Sequence, residues 1–203
     1  MRFQKFKTQI GLLLLGLVNK MFDYEQLMPG VHRYHNVLQG IDIVTEIEEY
    51  AKTLNKTWDR PPNKDRHNFW QISFAATDKV VDETAVNLNE LIKPITDRVY
   101  DYCNDYRATF SPDGSTHWQC LKYEEGNTFK RHHDDHGSFK SRVSLVYYVN
   151  DNYEGGELEF HNFDKVVTPI SDTLLIFPSS YLFSHTSLPI KFGTKYAITR
   201  FLS

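Results

Sequence analysis

The sequence predicts an α+β fold with a mainly β core, a two-sheet jelly roll with helices packed on one sheet, and three observations lead there. Apolar residues recur at helical spacing in the first half, short strand-like runs take over from Thr116, and turn residues separate those runs. Many short strands after a helical segment bury their apolar faces as two packed sheets, with the helices covering one of them.

In chain order, Arg2, Lys5 and Lys7 precede the apolar run Ile10 to Val18. This resembles the n- and h-regions of a signal peptide but lacks a small-x-small cleavage site before Lys20. Its nine residues are too few to span a bilayer. Export, a loosely attached arm and an upstream-extended start ahead of Met21 all stay open, so residues 1–20 are set apart from a single domain over 21–203. Within that domain, 21–110 is expected to be helical support and 111–203 the jelly-roll core.

Ile43, Ile47, Tyr50 and Leu54 mark one helix. Leu88, Leu91, Ile92, Ile95, Val99 and Tyr102 mark a longer one, expected to break or kink near Pro94. Arg60 to Asp65 reads as a loop. Strands are expected over Thr116–Tyr123, Ser141–Val149, Glu157–His161, Thr173–Phe177 and Thr194–Phe201, with turn chemistry at Ser111–Ser115 and Asp151–Gly156.

At 203 residues the chain can bury one substantial core, and its 14 Phe and 12 Tyr suit sheet faces. A net charge of −3 with dispersed Lys and Arg gives no basic stripe, so stable nucleic-acid binding is not expected. Partners should be small or peptide-like. Cys103 and Cys120 are too few for a disulfide framework and are expected to be buried free thiols, which suits a cytoplasmic, reducing setting.

The chemistry is carried by His132, Asp134, His185 and Lys195: an H-x-D pair, a histidine 51 residues beyond the aspartate (185 − 134), and a lysine ten further on (195 − 185). Residues i and i+2 of an extended segment point the same way, so His132 and Asp134 can reach one ion. Two imidazoles and a carboxylate on one face of a metal leave open positions for a chelating co-substrate and O2, the arrangement of non-haem Fe(II) oxygenases. Taken alone, His132 to His136 reads as a solvated polar loop, His185 as an ordinary hydrogen-bonded histidine and Lys195 as an exposed lysine on an edge strand. It is their order together that points to iron.

Tyr123, Gly126, Phe129, His132 and Asp134, followed by Tyr148-Val149-Asn150, Gly155-Gly156 and finally His185, Pro189 and Lys195, form an ordered set from about Trp118 to Leu202. This set resembles the prolyl 4-hydroxylase-like branch of the 2-oxoglutarate- and Fe(II)-dependent dioxygenases. Between the overlapping pairs 132/134 and 133/135, counting from Tyr123 and Gly126 in the family pattern selects the first. The resemblance implies a double-stranded β-helix holding Fe(II) by His132, Asp134 and His185. It implies that Lys195 binds the distal carboxylate of 2-oxoglutarate, that Tyr123 and Tyr148 face the co-substrate, and that Arg142 lies near the substrate. The implied activity consumes O2 and 2-oxoglutarate, with ascorbate as a candidate addition, and releases succinate and CO2. It hydroxylates a C–H bond, on a prolyl residue of a peptide or protein or on a related amino acid.

Three other readings share part of this pattern. An AlkB-like nucleic-acid demethylase has the same triad, but with an Arg in place of Lys195 and a second Arg six positions on; here Arg200 follows at five. A cupin-like binding module needs no Lys195. A zinc hydrolase has no use for a basic co-substrate anchor.

Overall fold

The computed structural model describes residues 24–39, 43–53, 57–61, 67–74, 93–106, 118–135 and 140–203. The N-terminal run, Leu88 to Ile92 and most of the loop after Arg60 lie outside these residues. In order, the elements are β1 (Tyr24–Met28), β2 (Val31–His35), α1 (Ile43–Thr53), β3 (His67–Asn68), β4 (Trp70–Phe74), α2 (Lys93–Asp105), β5 (Trp118–Tyr123) and β6 (Thr128–His132). They continue as β7 (Val143–Tyr148), β8 (Glu154–Gly155), β9 (Leu158–Phe160), β10 (Lys165–Val167), β11 (Thr173–Pro178), β12 (His185–Ser187), β13 (Ile190–Phe192) and β14 (Lys195–Leu202). Short 3-10 turns sit at His161–Phe163 and Tyr181–Phe183.

The strands form a seven-stranded sheet ordered β1-β2-β11-β7-β14-β5-β4 and a five-stranded sheet ordered β10-β9-β12-β6-β3, with β13 and β8 as a separate pair. Every pairing is antiparallel. The large sheet has two different faces because side chains alternate along each strand. Cys120, Tyr147, Ile198 and Leu174 point outward and meet Ile43 and Ile47 of α1 and Ile95, Val99 and Tyr102 of α2. Tyr148, Leu175, Phe177 and Ala197 point inward and pack on Leu158 and Phe160 of the small sheet. The double-stranded β-helix with helices on one sheet is therefore the observed architecture.

One expectation needs correcting. The stretch 21–110 is not purely helical support: β1, β2 and β4 belong to the large sheet and β3 to the small one. The sequence signal there is weak because β2 reads Val-His-Arg-Tyr-His, yet four of its five residues are buried between β1 and β11. The longer helix read from Leu88 to Tyr102 is described only as α2 from Lys93, with Ile95, Val99 and Tyr102 buried; the stretch ahead of Lys93, and with it the expected break, lies outside the described residues. Helix α1 runs as expected and buries Ile43, Ile47 and Ala51.

Both cysteines are buried and free, Cys103 on α2 and Cys120 on β5. Among the described residues no helix is long and apolar enough to cross a membrane.

Candidate metal and co-substrate site

The register of the small sheet builds the metal site. His185 opens β12 and is the direct cross-strand partner of His132 at the end of β6, which sets two histidines from distant parts of the chain side by side. Asp134 follows two residues beyond His132. The three ligand atoms lie within 4.8 Å of one another and all three residues are buried. Nε2 of His132 is 3.4 Å from Oδ1 of Asp134, and Nε2 of His185 is 3.9 Å from its Oδ2.

Each imidazole is oriented from behind. Nδ1 of His132 lies 2.8 Å from the carbonyl of Lys130, and Nδ1 of His185 lies 2.9 Å from the carbonyl of Phe183. A carbonyl only accepts, so each Nδ1 carries the proton and each Nε2 turns a lone pair to the cluster. The Phe129 ring stacks on His132 at 3.5 Å between centroids and 14° between planes, holding the ring's tilt.

Asp134 is clamped more tightly. Ser144 on β7 donates to its Oδ2 at 2.5 Å, and the Ser144 hydroxyl meets that of Ser179 at 2.8 Å. The Ser179 carbonyl accepts from the backbone N–H of both Asp134 and Asp135, turning the chain sharply after β6. Burial by itself raises the carboxyl pKa; His185, His132 and the Ser144 hydroxyl outweigh it and hold the group at about 2. Burial pushes His185 the other way, to about 4 despite Asp134. The result is an anionic carboxylate beside a neutral His185 imidazole, and with His132 the three side chains offer two ring nitrogens and one carboxylate, the donor set of a divalent iron.

Lys195 begins the inward row of β14, opposite Tyr123 on β5. It is 2 % exposed, so the reading of an isolated edge lysine does not apply. Its ammonium donates to the Gly156 carbonyl at 2.7 Å and to Ser187 Oγ at 3.3 Å, with the rings of Tyr123 and Tyr148 at 5.2 and 5.1 Å. Among the described residues no carboxylate pairs with it. Burial drives its pKa down to about 7, and the Tyr148 hydroxyl beside it has no hydrogen-bond partner. A buried cation and an orphaned phenol in one cavity fit a ligand that brings its own carboxylate. Gly156 has a positive φ of 69°, and a Cβ there would come within 2.5 Å of Ile190 Cδ1 and 3.2 Å of Lys195 Cδ, so a side chain would be strained and would push on the lysine that meets this carbonyl.

His132, Asp134, His185, Lys195, Tyr123 and Tyr148 all line one cavity of about 270 Å³ between the sheets. Arg142 does not join them: its side chain is exposed, and its backbone ties Leu202 to Ser179. Ser144, Ser179 and Ser187 escaped the sequence reading. Ser144 left a trace as a polar residue on the inward face of an otherwise apolar strand; Ser179 and Ser187 looked like turn and strand-end serines.

Residues 118–203 match the 2OG-Fe(II) oxygenase superfamily. Among curated proteins none matches the chain. A prolyl hydroxylase from Trichoplax adhaerens, solved with a hypoxia inducible factor oxygen degradation domain peptide, is similar in fold, with a TM-score of 0.63 and 23% identity over 85% of this chain and 83% of its own. The viral collagen prolyl hydroxylase of Paramecium Bursaria Chlorella virus-1, solved with 2OG, gives 0.61 and 16% over 84% and 94%. A Pseudomonas putida prolyl-4-hydroxylase gives 0.56 and 15% over 85% and 91%.

Proposed function

We propose that this chain, a 2OG-Fe(II) oxygenase over residues 118–203, hydroxylates a prolyl residue of a peptide or protein, or a related amino acid. It is an Fe(II)- and 2-oxoglutarate-dependent dioxygenase. In our reading His132, Asp134 and His185 hold the metal and Lys195 anchors the distal carboxylate of 2-oxoglutarate beside Tyr123 and Tyr148. The observation that carries it is the buried, carboxylate-free ammonium of Lys195 in the cavity that also contains the two histidines and the aspartate.

When bound, iron with 2-oxoglutarate and O2 supplies the oxidant for the C–H bond, releasing succinate and CO2. The chain's own residues supply position. The backbone carbonyls of Lys130 and Phe183 fix both imidazole tautomers, and Ser144 fixes the carboxylate, so the donor set is preorganised. Lys195, held by Gly156 and Ser187, sets how far into the cavity a dicarboxylate sits. Leu121, Val146, Leu158 and Ala197 line the walls and keep water out.

The demethylase alternative gains nothing from Arg200, which sits over the Trp118 ring at 5.0 Å, on the face of β14 opposite Lys195. A cytoplasmic setting agrees with the two buried free thiols.

The test is succinate release by the Fe(II)-loaded protein with 2-oxoglutarate and O2, screened against proline-containing peptides and free amino acids. Stimulation by a prolyl substrate, with a product that has gained one oxygen atom, is expected. An iron-loaded protein that consumes no 2-oxoglutarate under any condition overturns the reading.

A further inference from the structure

Beyond the co-substrate anchor, the same cavity has a second polar wall. Along the inward face of β14 the residues run Lys195, Ala197, Thr199 and Phe201. Thr199 is the direct cross-strand partner of Gln119 on β5, and the rung Leu121–Ala197–Tyr148 separates this pair from the lysine. Four residues of strand put Thr199 about 13 Å from Lys195 along the sheet. Gln71 on edge strand β4 pairs with Leu121, diagonal to Gln119. Gln71, Gln119 and Thr199 all line the cavity that contains the metal ligands.

Thr199 is 5 % exposed and its hydroxyl has no hydrogen-bond partner, a state that costs free energy unless something enters to meet it. Neither glutamine has a side-chain partner among the described residues. The three groups are neutral and each offers both a donor and an acceptor. The ionisable groups lining the cavity are the metal ligands, His133, Lys195 and the phenols of Tyr123 and Tyr148, so among the described residues Asp134 is its only carboxylate.

We infer that Gln119 and Thr199, with Gln71 beside them, are positioning residues that hydrogen-bond the backbone amide of a peptidyl substrate and so favour a residue within a chain over the free amino acid. This rests on the hydroxylase reading above. A carboxamide and a hydroxyl match an amide N–H and C=O, with no charge to neutralise. The ammonium of a free amino acid would enter a cavity whose one carboxylate among the described residues is already committed to the metal.

The test compares a blocked prolyl tripeptide with free L-proline on the Fe(II)-loaded enzyme. The peptide should stimulate succinate release and L-proline should not. Thr199→Val, isosteric without the hydroxyl, and Gln119→Met should each raise the peptide KM about tenfold, the loss of one hydrogen bond to a buried partner. Both should also raise the ratio of succinate to hydroxylated peptide, because a misplaced substrate uncouples the reaction. Thr199→Ser, which keeps the hydroxyl, should restore KM and coupling. Anaerobic titration of 2-oxoglutarate, read by its charge-transfer absorbance on Fe(II), reports that each variant still forms the co-substrate complex. Wild-type KM and coupling in both the Val and Met variants overturn the assignment while leaving the hydroxylase reading intact; so does turnover of L-proline as efficient as that of the peptide. If neither compound stimulates an enzyme that forms the co-substrate complex, the prolyl reading falls, and this inference with it.

Discussion

Lys122 on β5 and Lys195 on β14 sit on neighbouring strands of one sheet and face opposite ways. Lys122 points outward, 3.3 Å from Glu48 on α1 and near the rings of Trp58 and Tyr196. Glu48 also accepts from the Tyr196 hydroxyl at 2.7 Å and from Trp58 Nε1 at 3.3 Å, so this polar cluster closes on itself. Lys195 points inward, is more deeply buried, and meets a carbonyl, a hydroxyl and the rings of Tyr123 and Tyr148, while among the described residues no carboxylate comes within ion-pair distance and Glu157 acts on it only from further away. A polar group whose charge is answered within the chain ties helix to sheet. A buried charge left without its opposite is tolerated where a ligand completes it.

The contrast breaks most visibly at the metal. Asp134→Ala removes the only anionic ligand and should lower Fe(II) affinity and turnover by at least about a hundredfold, since even groups behind the ligands commonly cost ten- to a hundredfold. Metal content and succinate release read this. Asp135→Ala, at an exposed neighbour, should keep most activity; the reverse result would move the metal pair to 133/135.

Lys195→Ala should raise the 2-oxoglutarate KM by about two to four orders of magnitude, as expected from about 3–5 kcal/mol for leaving one partner of a buried pair alone. Fe(II) affinity should be spared. Equal 2-oxoglutarate dependence in wild type and variant would remove the anchor. Next in size, Ser144→Ala frees the Asp134 carboxylate and should weaken Fe(II) binding by about ten- to a hundredfold, measured by competition with a chelator.

The pH dependence has two opposite signs. With a folded pKa of about 7 in place of 10.5, Lys195 loses its charge as pH rises through 7, so 2-oxoglutarate affinity should fall above neutrality. The unfolded chain binds the extra proton between about 7 and 10.5, so this residue's contribution to the stability of the ligand-free protein should increase across the same window. Titrating binding and thermal unfolding in parallel, and repeating both with Lys195→Met, isolates the effect; parallel trends in wild type would contradict it. The smallest change belongs to the outward lysine. Lys122→Met should cost about 1 kcal/mol of stability or less and leave the 2-oxoglutarate KM unchanged, read by chemical denaturation and steady-state kinetics.

Much of this was legible in the chain. The spacing of His132, Asp134, His185 and Lys195 identified the chemistry because ligand type and order survive in a linear pattern. The strands β5, β7, β9, β11 and β14 were found to within a few residues because apolar alternation is local. The short strands β6, β8, β10, β12 and β13 were missed, being two to five residues long and, in β6 and β12, rich in polar side chains. So were β1 and β2, whose place at the edge of the large sheet is set by β11, more than a hundred residues away.

The sequence by itself determined which side chains could serve as metal donors, which lysine is proposed as the anchor, and the alternation that builds two sheets, because residue identity and period need no partner. Only the tertiary structure decided that His185 pairs with His132, that Ser144 and Ser179 clamp Asp134, that Gly156 and Ser187 hold Lys195, and that Thr199 is left with its hydroxyl unmet. Each of these depends on the register between strands distant in the chain. A shift of one residue sends every side chain to the other face, and no local pattern in the sequence records that pairing.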